Sequence, residues 1–195
     1  MAQELSDKEM VVFSETYLDA CKHRLLGNPE EALNLYRKCL DIDPNNDAVY
    51  YDIGQLYRDQ SNVEGARYHF ELASELDPSN KWYLLDLAKA QSQLGQLKAA
   101  NKTYEKLRAL VPENPEYILN HANLLLHMGK EKKAMKEFEY LESITGPNPD
   151  VSMRRYRYYA GQNKMKEAEA ELIQLIENFP NEPGFYSLLA YLYKA

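Results

Sequence analysis

The sequence predicts an all-α fold in which pairs of helices repeat along the chain and stack as a solenoid. Three observations predict this fold class. An alanine recurs at a constant interval and is followed four positions later by a large apolar residue. The segments around each alanine carry apolar residues at helical spacing. All nine prolines fall between those segments or in their first turns.

The 34-residue period appears in several series of residues. The alanines are Ala32, Ala66, Ala100, Ala134 and Ala168. The large residues that follow them are Tyr36, Phe70, Tyr104, Phe138 and Leu172. Small residues recur at Ala20, Gly54, Ala88 and Ala122, and a mid-repeat turn is marked by Gly27, Gly95 and Gly129. A period of this length predicts a repeat architecture, in which each unit buries its apolar face against its neighbours.

Each repeat is predicted to contain two amphipathic helices. In the second repeat, the apolar face of the first helix consists of Tyr50, Ile53, Gly54 and Tyr57, at i, i+3, i+4 and i+7. The second helix keeps Ala66, Phe70 and Ala73 on one face. Pro115, Pro149 and Pro183 share the same period and stand where a helix begins, a position that tolerates a missing N–H. Asn28, directly before Pro29, is predicted to be an N-cap.

Twelve residues after the periodic alanines stand Pro44, Pro78, Pro112 and Pro180. The order of a small residue, a glycine turn, an alanine, an aromatic residue and such a proline resembles the tetratricopeptide repeat (TPR) family. The resemblance covers five repeats, at 13–46, 47–80, 81–114, 115–148 and 149–182, and residues 183–195 resemble the opening of a sixth. It implies a single TPR domain over residues 1–195, wound as a right-handed superhelix. It also implies that the first helices of the repeats line a concave face.

Composition and charge exclude several classes of partner. The 195 residues carry 23 basic and 30 acidic side chains, so the formal charge is −7. We therefore expect no nucleic acid and no anionic membrane as the main partner, because both require a basic surface. No apolar run approaches the ~18 residues of a membrane span, and the first residues do not resemble a secretory signal. The protein is expected to be cytoplasmic as given, and periplasmic or in the cell envelope if a leader peptide has been removed.

The sequence lacks the short motifs of phosphate, dinucleotide and metal chemistry. His121 and His127 are six residues apart and do not share a helical face, and Cys21 and Cys39 are interpreted as core thiols. The glutamates at 137–142 and 167–171 are interpreted as a solvated helix face. We therefore expect no enzyme activity, no cofactor and no metal site.

A partner is predicted to bind along the concave face. Position 9 of repeats two to five carries a file of polar residues, namely Gln55, Lys89, Asn123 and Arg157. Tyr17, Tyr51 and Trp82 add rigid aromatic surface of the kind that anchors interfaces. The alternative interpretation is that these residues form the solvent-exposed polar face of amphipathic helices and bind no partner.

The residue type at position 5 of the repeats indicates which class of ligand is expected. TPR proteins that bind a C-terminal carboxylate resemble one another in having a lysine at this position, whereas this chain has Tyr51, Leu85, Leu119 and Met153. An internal peptide segment or a helix is therefore the better prediction. Arg154, Arg155 and Arg157 form a local basic cluster, which predicts either a site for an acidic partner or arginine stems packed over tyrosines.

The apolar segment Phe185–Tyr193 leaves two interpretations open. Either the chain is part of a longer repeat array, or this segment mediates self-association with another copy. The function predicted overall is a non-catalytic scaffold that binds a protein or peptide of unknown identity. The alternative is an accessory or targeting segment of a larger enzyme or bacterial cell-envelope assembly.

Overall fold

The computed structural model describes residues 5–194, and all regular secondary structure in that range is α-helical. The helices are α1 (Asp7–Leu25), α2 (Pro29–Ile42), α3 (Asp47–Asp59), α4 (Val63–Leu76), α5 (Lys81–Gln93), α6 (Leu97–Leu110), α7 (Pro115–His127), α8 (Glu131–Thr145), α9 (Pro149–Gly161), α10 (Met165–Asn178) and α11 (Pro183–Leu192). From α3 onward, the starts of alternate helices are separated by the interval that the sequence predicts. Within residues 5–194, no helix is both long enough and apolar enough to span a bilayer.

The helices divide into two compact units, Met1–Pro112 and Glu113–Ala195, which we call unit 1 and unit 2. In unit 1, each helix from α1 to α6 packs on the next. In unit 2, α7 packs on α8, α9 on α10 and α10 on α11. Each helix therefore finds its main partner close by in the sequence, as stacked hairpins require.

The core of unit 1 begins between the first two repeats. It is made by the buried residues Ala20, Ala32, Tyr36, Cys39, Val49, Ile53 and Leu56. The burial of Cys39 agrees with its interpretation as a core thiol, and its pKa is raised to about 11, mainly by burial. Gly54 lies so close to the Phe70 ring that a Cβ atom there would stand 2.6 Å from it. The recurring small residue therefore permits close approach of the two helices of a repeat.

The core of unit 2 joins α7, α8 and the start of α9. Its buried residues are Ile118, Ala122, Leu125, Ala134, Phe138, Leu141 and Val151. Ala122, Ala134 and Phe138 belong to the periodic series that the sequence revealed. Their burial explains the series, because a larger residue at an alanine position would push the paired helices apart.

The turn between the two helices of a repeat is left-handed in all five repeats. Gly27, Gly95 and Gly129 have φ angles of 73°, 70° and 69°. Ser61 and Asn163 occupy the same place in the other two repeats, with φ angles of 60° and 58°. A residue with a Cβ atom is strained in this region, so these two turns cost stability that a glycine would not.

Asparagine caps the first helix of four repeats. The N-caps are Asn46, Asn80, Asn114 and Asn148, and each side chain accepts a hydrogen bond from a backbone N–H in the first turn. The predicted N-cap Asn28 does precede α2, but its side chain makes no capping hydrogen bond. Among the second helices, α4 is capped in the same way, because the Asn62 side chain accepts a hydrogen bond from Gly65 N–H.

Candidate functional site

In unit 1, a tyrosine and an arginine of one repeat hold an aspartate of the next. The Tyr17 hydroxyl donates to Asp52 Oδ2 at 2.5 Å, and Arg24 Nη1 donates to Asp52 Oδ1 at 3.2 Å. Burial and Asp52 raise the pKa of Tyr17. Burial also raises the pKa of Asp52, whereas Tyr17 and Arg24 oppose that shift. The aspartate is thus a partly buried charge with two donors from the preceding repeat.

The same arrangement occurs one repeat later. Tyr51 Oη and Arg58 Nη1 each donate to Asp86 Oδ2 at 2.8 Å. The Tyr51 ring also lies 4.7 Å from the Tyr83 ring, measured between centroids. Burial, followed by the charge of Asp86, raises the pKa of Tyr51 to about 12. We call this arrangement, in which positions 5 and 12 bind position 6 of the next repeat, the inter-repeat clamp.

The clamps account for three residues that the sequence predicts to face a partner. Tyr17 and Tyr51 donate to the clamp aspartates, and Gln55 accepts a hydrogen bond from Arg24 Nη2 at 2.5 Å. These three side chains are only partly exposed. Their polar atoms join neighbouring repeats. A signal for this role was present in the sequence, because tyrosine at position 5, aspartate at position 6 and arginine at position 12 each recur in successive repeats.

The two other predicted residues of unit 1 are Trp82 and Lys89. Trp82 is 53% exposed, and Lys81 Nζ lies 5.2 Å from the centroid of its ring. Lys89 lines a small cleft of about 140 Å³ together with Arg58, Asp86 and Phe70. The lysine therefore stands beside the second clamp, where charges of both signs are already present.

In unit 2, the first helices of two successive repeats border a larger cleft of about 690 Å³. It brings together the predicted residues Asn123 and Arg157. The other polar residues lining it are His127, Arg154, Tyr158 and Gln162. Among the described residues that line this cleft, none is acidic. Two guanidinium groups and two amides in one open cleft are suited to bind carboxylates and the polar backbone of a peptide.

The basic cluster predicted from the sequence is divided by the fold. Arg154 and Arg157 are exposed at the cleft, whereas Arg155 is only 6% exposed. Arg155 Nε donates to Glu171 at 2.9 Å and Nη1 donates to Glu142 at 2.9 Å. Burial by itself would lower the pKa of Arg155, but Glu171 and Glu142 raise it above its usual value.

The glutamates at 137–142 and 167–171 do not form the fully solvated helix face that the sequence predicts. Glu142 and Glu171 are partly buried against Arg155, and burial raises the pKa of Glu171 while Arg155 opposes the shift. Glu137 similarly lies 3.2 Å from Nδ1 of the buried His121. Each of these two buried basic residues of a first helix is therefore paired with glutamates of neighbouring helices.

The fold and these surfaces define a helical repeat protein with a candidate interaction cleft. Two family profiles match the chain, one described as TPR repeat over residues 22–61 and one as tetratricopeptide repeat over residues 57–124. The chain belongs to the TPR family, which confirms the resemblance. No curated protein sequence matches the chain.

Solved structures of TPR proteins are similar to the chain in fold. A tetratricopeptide repeat protein from Parabacteroides merdae has 18% identity and a TM-score of 0.77, over 93% of this chain and 72% of that one. YrrB, described as a TPR protein with an unusual peptide-binding site, has 20% identity and a TM-score of 0.74, over 92% and 91%. The first TPR of Spaghetti, bound to the HSP90 peptide SRMEEVD, has 22% identity and a TM-score of 0.56, over 64% and 97%. The predicted all-α fold class of TPR helix-turn-helix repeats is confirmed.

Proposed function

We propose that the protein is a non-catalytic scaffold that binds an acidic peptide segment of a partner protein, with the cleft of unit 2 as the principal site. The TPR fold supports a role in protein interaction. The observation that carries the finer proposal is the composition of the cleft, because Arg154 and Arg157 are exposed there and no described lining residue is acidic. A chain with a net charge of −7 otherwise repels acidic partners.

The cleft side chains have complementary roles toward a peptide. The two guanidinium groups bind carboxylates through charge-assisted hydrogen bonds. The Asn123 amide both donates and accepts, so it satisfies a peptide N–H and C=O together. The Tyr158 ring and Leu126 offer apolar surface beside these polar groups. This mixture favours an extended segment in which acidic and apolar residues alternate.

Two similar proteins support a peptide as the ligand. YrrB is described as having a peptide-binding site, and the TPR of Spaghetti is bound to a peptide that contains two adjacent glutamates. This chain lacks lysines at position 5, so we propose an internal acidic segment as the ligand rather than a free C-terminus. Trp82 and Lys89 in unit 1 are proposed as a secondary contact surface. Tyr17, Tyr51 and Gln55 are proposed to support it by joining neighbouring repeats.

The experiment measures binding of a fluorescent peptide with two glutamates between apolar residues and an amidated C-terminus. Fluorescence anisotropy is expected to show saturable binding that weakens with added salt. Arg154→Ala and Arg157→Ala are each expected to weaken it about tenfold, since each removes a charge-assisted hydrogen bond. The same peptide with glutamines is expected to bind poorly.

The matched control is Lys132→Ala, because this lysine is exposed on α8 and the variant removes one positive charge, as each cleft variant does. It is expected to bind like the unaltered protein. Equal affinity for the glutamate and glutamine peptides would refute the proposed charge recognition. Equal loss in the control and the cleft variants would show that only the net charge matters.

A further inference from the structure

The first helix carries an apolar stripe on the side that faces away from its own core. Val11, Leu18 and Leu25 are spaced by seven residues and are 57%, 67% and 88% exposed. A spacing of seven keeps them on one line along the helix, because about 3.5 residues approximate one turn. On the other side of α1, Ala20 is buried and Tyr17 packs on the core of unit 1. We call Val11, Leu18 and Leu25 the α1 stripe.

The stripe lies on the face that joins repeats elsewhere in unit 1. Leu18 is position 6 of the first repeat, and the residues at position 6 of the next two repeats are Asp52 and Asp86. Those aspartates each bind a tyrosine and an arginine of the preceding repeat. At residues 52 and 86, position 6 thus points toward the first helix of the preceding repeat. Its apolar counterpart on α1 has the character of a packing surface.

We propose that the α1 stripe binds the α1 stripe of a second copy, with the two helices antiparallel and related by a two-fold axis at Leu18. In this register Leu18 meets its own equivalent, and Val11 of each copy meets Leu25 of the other. Val12 and Leu26, which are 44% and 63% exposed, add apolar surface at the margin. The contact is isologous, so it closes as a dimer and does not extend to a fibre.

Charge complementarity favours this occupant and this direction. Glu15 and Lys22 each lie four residues after a stripe residue, so both are on the same edge of the stripe. In an antiparallel pair, this edge of one helix faces the same edge of the other. With Leu18 at the axis, Glu15 of each copy falls beside Lys22 of the other, which gives two symmetric ion pairs.

A parallel pair would lose this complementarity. The edge with Glu15 and Lys22 would then face the opposite edge of the partner helix, which carries Tyr17 and Arg24. Both of those residues are already bound to Asp52. Helix α11 also exposes apolar residues, including Tyr186 and Tyr191, but the helix contains no charged residue that would specify a partner or a direction.

Disulfide trapping tests the geometry. Leu18→Cys is expected to cross-link with itself under mild oxidation, because the two-fold axis brings the Cα atoms within disulfide range. Val11→Cys is expected not to, because the equivalent residues of the two copies are separated by about 21 Å along the helix pair, at about 1.5 Å per residue. A mixture of Val11→Cys and Leu25→Cys chains is expected to form the mixed disulfide. The unaltered chain measures the background from Cys21 and Cys39.

Sedimentation equilibrium tests the energetics. The unaltered protein is expected to show a concentration-dependent dimer, and Leu18→Glu is expected to raise the dimer dissociation constant about tenfold or more. Glu15→Lys is expected to weaken the dimer, and Glu15→Lys combined with Lys22→Glu is expected to restore it. The matched control is Leu110→Glu, because Leu110 is an exposed leucine of unit 1 outside α1. The dimer dissociation constant of Leu110→Glu is expected to equal that of the unaltered protein.

Three outcomes would overturn the proposal. A chain that stays monomeric up to millimolar concentration has no such dimer. A dimer that Leu18→Glu leaves intact uses another surface, such as α11 or the segment Phe185–Tyr193. Cross-linking of Val11→Cys with itself would show a parallel pair. Leu18 is exposed, so circular dichroism is expected to show unchanged helicity in the Leu18→Glu variant, which separates loss of the dimer from unfolding.

Discussion

Replacement of Arg155 by alanine is expected to destabilise unit 2 by about 3–5 kcal/mol, the usual cost of removing one partner of a buried ion pair. Arg155 is only 6% exposed, and its guanidinium is shared between Glu142 and Glu171, with Nη2 also 3.4 Å from the Ser152 hydroxyl. Alanine would leave two partly buried carboxylates without their cation. It would also open the volume of the arginine side chain, so the cost is expected near the upper end of the range.

The pH dependence of this loss follows from Glu171. Burial already raises its pKa in the folded protein, and removal of Arg155 takes away the group that opposes the shift. A carboxyl group with a raised folded pKa binds a proton more tightly when folded than when unfolded. The free energy of unfolding of Arg155→Ala is therefore expected to fall as the pH rises from about 4.3, the ordinary value for glutamate, through the raised value. The loss of stability caused by Arg155→Ala is therefore expected to be smallest at acidic pH.

Urea unfolding followed by circular dichroism at pH 5 and pH 8 measures both effects. Arg154→Ala is the matched control, since it removes an exposed arginine from the same helix and is expected to change stability by less than about 0.5 kcal/mol. If Arg155→Ala unfolded at the same urea concentration as this control, the ion pairs would contribute nothing measurable. If its destabilisation were the same at both pH values, the protonation argument would be wrong.

Three further predictions concern the repeat framework. Ser61→Gly relieves a left-handed backbone and is expected to raise the free energy of unfolding by about 1 kcal/mol, measured by urea unfolding, whereas no gain would contradict the strain. Tyr51→Phe is expected to lower it by about 1–2 kcal/mol through loss of the Asp86 hydrogen bond. Because the folded pKa of Tyr51 is raised to about 12, this residue's contribution is lost as the pH rises from about 10 to 12, and an alkaline unfolding curve that Tyr51→Phe leaves unshifted would refute this. Ala100→Asp places a charge at a fully buried site and is expected to lower the thermal unfolding temperature sharply, so an unchanged temperature would show that the register is wrong.

The sequence could predict those parts of the fold that depend on local periodicity. The helices and the periodic core alanines follow from spacing alone, because each helix must turn one apolar side toward its neighbour. The left-handed turns were recognisable at the three glycines but not at Ser61, where residue type gives no such signal. Asparagine is enriched in the left-handed region, so Asn163 carries a weak signal. The register of the repeats, which aligns both residues with the glycines, would have identified them.

The candidate site was less predictable because it depends on contacts between repeats. Tyr17 and Tyr51 were predicted to face a partner, yet each hydroxyl binds an aspartate of the following repeat. Which side of a first helix meets the next repeat depends on how the repeats stack, and the helical pattern alone does not determine this. For Arg155 the register did carry a signal, because Ile53 and Leu87 at the same position are buried. A charge at that position implies a buried counter-charge.

Position 6 of the repeats can be compared between the clamps of unit 1 and the cleft of unit 2. It is aspartate at 52 and 86, where it binds the preceding repeat, but it is arginine at 154, where it lines the cleft. In unit 1, the chain's own aspartates bind arginines. At the cleft, a carboxylate of the partner would bind the arginines instead. Arg154→Asp is therefore expected to supply that carboxylate internally, next to Arg157, and to weaken binding of the acidic peptide well beyond the loss in Arg154→Ala. Thermal unfolding should change little, because the site is exposed. Equal affinities of the two variants in fluorescence anisotropy would show that the cleft does not recognise a carboxylate at this position.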